Sequence, residues 1–147
     1  MEVQVLLCTP TSVSVELCNE DAYDTEAYEI YLNNAFLRTE HTNVISIYDL
    51  TPGQRYTLRV QSKVFCEEIS FQTIALKEQV FQKEFAEEAD ATEALQQAID
   101  TLGQDEFLTI RGKYKITSLF LKDNIYIHLP ENSTLLGETR REDFPIL

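Results

Sequence analysis

Residues Asp90–Gly137 read DATEALQQAIDTLGQDEFLTIRGKYKITSLFLKDNIYIHLPENSTLLG. Asp90 can act as a helix N-cap, with Glu93 three residues on in a variant of the capping box. Leu95, Ala98, Ile99 and Leu102 then fall at i, i+3, i+4 and i+7, the apolar stripe of an amphipathic helix. Gly103 follows as a C-terminal stop. Beyond it the pattern predicts strands at Phe107–Ile110, Ser118–Leu121, Ile125–Leu129 and Thr134–Leu136. Ile125, Ile127 and Leu129 alternate with Tyr126 and His128, so one face of that segment is apolar. A helix followed by short strands with apolar stacks suits a solenoid whose helix caps one open end.

The same residues resemble the opening of the pectin-lyase-like right-handed parallel β-helix, most closely the family 28 glycoside hydrolases, the polygalacturonases. Thr92, Ala94 to Gln96 and Ala98 to Asp100 are similar to that family's helix after its glycine- and aspartate-rich loop. Gly112, Tyr114 and Leu119 to Leu121 are similar to its first strand pair. Asn124, Leu129, Thr134 to Gly137 and Asp143 to Pro145 are similar to the run that follows. Two departures stand out. Ala86–Ala89 replaces the glycine-rich turn, and no Gly-Gly pair precedes Phe107.

Towards the N-terminus the pattern changes. Val3/Val5/Leu7, Val13/Val15/Leu17, Tyr28/Ile30/Leu32 and Tyr56/Leu58/Val60 alternate as half-buried strands do. Asn19 to Thr25 is polar and turn-like, and Asn33-Asn34 suits a tight hairpin because Asn tolerates positive φ. Short strands at Phe36, Val44 to Tyr48 and Val64 to Thr73 complete seven, the pattern of an antiparallel sandwich. Tyr28-Glu29-Ile30-Tyr31 and Leu50-Thr51-Pro52-Gly53-Gln54-Arg55-Tyr56 resemble fibronectin type III domains. The resemblance implies that Tyr56 is a tyrosine corner, Leu50 is core, and Leu17 replaces the usual Trp, which this chain lacks. Gln79 to Phe85 is expected as a strand rather than part of a helix running on from Glu78, since Asp90 marks a fresh helix start. The expected organisation is mainly β. Residues 1–76 form a fibronectin type III-like β-sandwich, and residues 77–147 form the capping helix and first coil of a right-handed parallel β-helix.

The chain has 147 residues and a formal charge of −13, from 12 basic and 25 acidic side chains. That disfavours nucleic acid and anionic membrane surfaces as partners, and also tight binding of polygalacturonate. No leader-like segment or long apolar run is present, so the expected location is cytoplasmic, or secreted if a leader has been removed. Cys8, Cys18 and Cys66 are an odd number with no C-x-x-C spacing. Free thiols are expected; the alternative is one disulfide with one cysteine left over.

Each residue that could carry chemistry has a structural explanation beside it. Glu87, Glu88 and Asp90 could hold a cation, but lack the glycine turn of a calcium loop and suit a helix N-terminus. His128 is expected to be a hydrogen-bonded structural residue and His41 to be exposed in a loop. Arg140-Arg141 could meet galacturonate carboxylates or form surface ion pairs. Asn132-Ser133-Thr134 fits a glycosylation acceptor or simply the turn before a strand. An inverting glycosidase needs a carboxylic acid and a carboxylate base on opposite faces of the bond. The polygalacturonase strings Asn-Thr-Asp, Asp-Asp, Gly-His-Gly and Arg-Ile-Lys are all absent. No catalytic, metal or cofactor residue is therefore assigned, and no cofactor is expected. The resemblance implies a parent hydrolase of α-1,4-galacturonosyl bonds, with pectin or oligogalacturonides as substrate and the active site beyond Leu147. An open β-helix end would offer a surface for self-association. The alternatives are a non-catalytic adhesin or structural β-helix, or a free-standing carbohydrate- or protein-binding module.

Overall fold

The computed structural model describes residues 2–18, 27–86 and 89–144. The turn expected at Asn19 to Thr25, Glu87 and Glu88 of the acidic patch, and Pro145 lie outside the described residues. The fold is mainly β, with one α-helix among the described residues. The chain divides into two compact units, Met1–Ala75 and Leu76–Leu147.

The first unit has seven described strands: β1 Glu2–Cys8, β2 Val13–Cys18, β3 Tyr28–Leu32, β4 Ala35–Glu40, β5 Val44–Ile47, β6 Arg55–Gln61 and β7 Cys66–Gln72. They form two sheets, β1-β2-β5 and β4-β3-β6-β7, with every pairing antiparallel. Period-two alternation puts Val13, Val15, Leu17, Ile45 and Ile47 of one sheet into the same core as Tyr28, Ile30, Leu58 and Val60 of the other. β1 departs from its own alternation. Val3 is buried, but Val5 and Leu7 are exposed, because the strand lies at a sheet edge and its register shifts between those two residues.

The turns follow their residues. Asn33 and Asn34 take φ of +49° and +66°, as a two-residue hairpin requires. Tyr56 is buried, its ring stacked on Phe71 at 5.6 Å, and its hydroxyl accepts the Thr51 amide proton at 2.9 Å. Beside it Thr73 donates to the Thr51 carbonyl at 2.6 Å and accepts from the Gln54 amide at 3.0 Å. Side chains thus satisfy the backbone of the turn that strand pairing leaves over.

The second unit contains β8 Lys77–Phe81, α1 Thr92–Asp100, β9 Glu106–Ile110, β10 Lys113–Ile116, β11 Ile127–His128 and β12 Thr134–Gly137. Its pairings are all parallel. Leu108 of β9 faces Gln79 of β8 on one side and Ile127 of β11 on the other. Lys115 of β10 faces Leu136 of β12 on one side and the isolated bridge residue Asp90 on the other. Two ladders result, each three rungs deep, and the chain visits them alternately. Apolar side chains of both ladders, including Phe81, Leu108, Ile110 and Tyr114, share a core with Leu95 and Ile99 of α1.

The structure departs from the sequence pattern at several places. Asp90 is not the N-cap: its backbone bridges Lys115, so the helix begins one residue later, after Ala91, with no side-chain cap. Asp90 still accepts the Thr92 amide proton at 2.8 Å, but Glu93 is out of register for a capping box. Gly103 does not take the left-handed conformation of a helix stop; a Cβ there would meet Glu106 Oε1 at 2.8 Å. Ser118–Leu121 is not a strand. The rung lies earlier, at Lys113–Ile116, and Gln96 holds the later segment by bonding both the amide and the carbonyl of Phe120. The strand expected over Ile125–Leu129 shrinks to Ile127–His128, leaving Leu129 exposed. That expected over Gln79 to Phe85 is Lys77–Phe81.

Candidate functional site

In the second unit the two ladders are joined at Arg111-Gly112, where the chain leaves β9 for β10. Gly112 has φ +112°, and a Cβ there would lie 2.9 Å from Tyr114 Oη, so only glycine fits without strain. Tyr114 fixes this corner. Its hydroxyl donates to the Arg111 carbonyl and accepts the Lys83 amide proton, while Phe81 and Phe85 meet its ring edge-to-face.

Beside the Asp90–β10–β12 ladder lies a hollow of ≈ 640 Å³, with Asp90, Lys115, Glu138, Arg140 and Asp143 among its lining. Asp90 and Arg140, singled out from sequence, thus meet around one hollow. Three carboxylates and two cations line it, a mixture able to take hydroxyl and carboxylate groups of a polar ligand. The acids are open to solvent: Asp90 and Asp143 are exposed and Glu138 is half-buried. Arg141 is exposed on the adjoining 3-10 turn. Among the described residues no three His, Cys, Asp or Glu side chains are grouped to hold a metal ion.

The remaining residues take modest positions. His128 is half-buried on β11, and His41 is exposed. Asn132 has φ +67° in the turn before β12, and Ser133 donates its amide proton to the Pro130 carbonyl at 3.1 Å. Cys8, Cys18 and Cys66 are free thiols, the first two half-buried and Cys66 exposed. Burial pushes the Cys8 thiol above the ordinary range. Partial burial does the same to Cys18, helped by the charges of Glu16 and Glu2. Among the described residues no helix is long and apolar enough to cross a membrane.

A second polar-aromatic grouping, missed in the sequence, lies on the outward side of sheet β4-β3-β6-β7. Tyr31 and Phe36 meet edge-to-face at 5.6 Å, and the Arg59 guanidinium lies 4.3 Å from the Tyr31 ring centre. Tyr31 Oη donates to Glu29 Oε2 at 3.0 Å and Gln61 Nε2 donates to the same oxygen at 2.8 Å. The glutamate raises the Tyr31 phenol above its usual range, chiefly through that hydrogen bond. Arg59 Nε is buried without a hydrogen-bond partner among the described residues. The signal was present in the alternation. Tyr28 and Ile30 point inward, so Glu29 and Tyr31 must point outward beside Arg59 and Gln61 of the paired strand.

No family model matches the chain. No curated protein matches it either. Solved structures do. Over 98% of its length the chain superposes on a family 28 exopolygalacturonase of Yersinia enterocolitica, with a TM-score of 0.66 and 20% identity. The chain spans 33% of that enzyme's length. About half of the chain, 50%, also matches the central fibronectin-III array of RIM-binding protein, at TM-score 0.44, 20% identity and 31% of that chain. A structure described as a myokine matches 49% of this chain at TM-score 0.36 and 19% identity, over 92% of its own length. The latter two are loose superpositions. The first establishes a fold shared with about a third of a polygalacturonase.

Proposed function

We propose that the chain is the leading part of a family 28-type glycosidase that hydrolyses α-1,4-galacturonosyl bonds of pectin or its oligomers. In this reading Met1–Ala75 is a fibronectin type III-like module. Leu76–Leu147 is the helical cap and first coils of a right-handed parallel β-helix, and the catalytic acids belong to later coils. The observation that carries it is the superposition of 98% of the chain on 33% of an exopolygalacturonase. Two features of the chain support it. Rungs alternate between two parallel ladders, as in a solenoid, and α1 packs its apolar stripe on the same core. Tyr56 satisfies the turn at Thr51 as a tyrosine corner does.

The test is a reducing-sugar assay on two proteins, the 147-residue chain and the same chain extended through its downstream coding sequence. The short chain is expected to release no sugar from polygalacturonate, and the extended one to release galacturonate or its oligomers. Turnover by the short chain would place a site among its own acids, the Asp90/Glu138/Asp143 hollow first. An extended protein inactive on polymer and oligomers alike would favour a non-catalytic β-helix.

A further inference from the structure

The outward face of the four-stranded sheet has the makings of a binding surface. Phe36 is 57% exposed, yet its ring is braced by Tyr31, which Arg59 also contacts. Beside this shelf stand an acceptor, Glu29, and two donors, Arg59 and Gln61. A sugar ring presents the matching chemistry: an apolar C–H face, and rim hydroxyls that each donate and accept. The half-buried Arg59 guanidinium, held over the Tyr31 ring, supplies the charged donor. The shared bonds from Tyr31 and Gln61 to one oxygen of Glu29 already restrict those side chains, so little freedom remains to be lost on binding.

Charge and topology narrow the ligand. Arg59 is flanked by Glu29 and by Glu68, its cross-strand partner, and the chain carries −13 overall, so a polyanion is repelled. β3 and β6 are interior strands paired on both sides, so an extended peptide finds no free backbone beside Glu29, Arg59 and Gln61; the edges of the sheet lie on the far sides of β4 and β7. We propose that this face binds a neutral oligosaccharide, with one ring stacked on Phe36 and its hydroxyls on Glu29, Arg59 and Gln61. The proposal stands independently of the glycosidase reading.

Amide chemical-shift titration of the full chain tests it. The probes are neutral tetrasaccharides derived from galactan, arabinan and glucan, together with tetragalacturonate and a proline-rich decapeptide. A neutral tetrasaccharide is expected to shift signals confined to β3, β4 and β6. Phe36→Ala and Arg59→Ala are each expected to weaken binding about tenfold, the worth of one aromatic or charged contact. Tyr48→Ala, which removes an exposed aromatic beyond β5, should change nothing. Unchanged signals from Tyr56 and Phe71 report that each variant is folded, and Arg59→Lys replaces Arg59→Ala if the latter is not. The proposal is overturned if no neutral probe shifts this face at about 10 mM, roughly ten times a weak dissociation constant of about 1 mM. It is equally overturned if tetragalacturonate or the peptide binds there in preference, or if Phe36→Ala binds as the native chain does.

Discussion

The two units solve the same problem, burying short strands, in opposite ways. In Met1–Ala75 two antiparallel sheets face each other, and each inner face is covered by the other. In Leu76–Leu147 parallel rungs stack in sequence, so each rung depends on its neighbours. The burial pattern records the difference. Leu58 and Val60 on interior strand β6 are completely buried. In the second unit Leu108 and Ile110 on the middle rung are buried, but Ile127 and Leu135 on the last are only partly so. Among the described residues β11 and β12 each have a partner on one side only. A closed sandwich distributes its stability, whereas a stack grades it from the capped end outward.

The sharpest way to break this comparison is in the middle rung. Leu108→Ala should cost about 2–5 kcal/mol, as truncation in a close-packed core does. Leu135→Ala, on the last rung, should cost clearly less. Equal losses in chemical denaturation would show that the stack is not graded. Next comes the free edge. Self-association that grows with concentration is expected by sedimentation, together with amide-exchange protection that falls from β9 to β12. A strict monomer protected through Leu136 would contradict both.

Smaller effects sharpen the picture of the sandwich. Tyr56→Phe should lower its stability by about 1 kcal/mol, the net worth of one hydrogen bond, and an unchanged melting point would show the Thr51 contact to be idle. Thiol titration of the denatured, unreduced chain should count three; a count of one would reveal a disulfide. In the folded chain, mass spectrometry should show exposed Cys66 alkylated before Cys8, whose raised thiol pKa keeps it protonated. A thiol with a raised folded-state pKa contributes fully below the ordinary thiol range. That contribution is lost as pH climbs through the raised value.

The sandwich was legible because antiparallel strands with one buried face write their alternation into the sequence, as Val13/Val15/Leu17 do. The stack was legible only in outline. Its rung at β10 reads Lys-Tyr-Lys-Ile, and the lysines mask the inward Tyr114 and Ile116. Its parallel partners are unequally spaced, since Leu108 pairs with Gln79 before it and Ile127 after it, so no fixed period reveals them. Asp90 misled because one residue serves two neighbours, bridging Lys115 with its backbone and bonding Thr92 with its carboxylate. Asp90 and Arg140 stood out in the sequence, but their meeting in one mixed-charge hollow could not be read, because the segments that carry them are brought together only by the ladder. The Tyr31–Phe36–Arg59 face was half-written in the alternation of β3 and β6, but which strands are neighbours is a matter of topology.

Gln96 has a consequence for how this chain can vary. Its amide takes both backbone bonds of Phe120, as a neighbouring strand would, from a helix more than twenty residues away. Lys122 adds a tether to the carbonyls of Leu102 and Asp100 at the end of the same helix. The excursion between β10 and β11 is therefore moored to α1 at Thr117, Phe120 and Lys122. Its length is freest to change after the last of these moorings, at the Asp123-Asn124 turn, where Asn124 has φ +57°. Residues inserted there would lengthen a surface loop. The same insertion between Thr117 and Phe120 would pull the segment off its moorings and expose the flank of the helix. For grafting new sequence into this coil, Asp123-Asn124 is the permissive seam and Gln96 the residue to leave untouched.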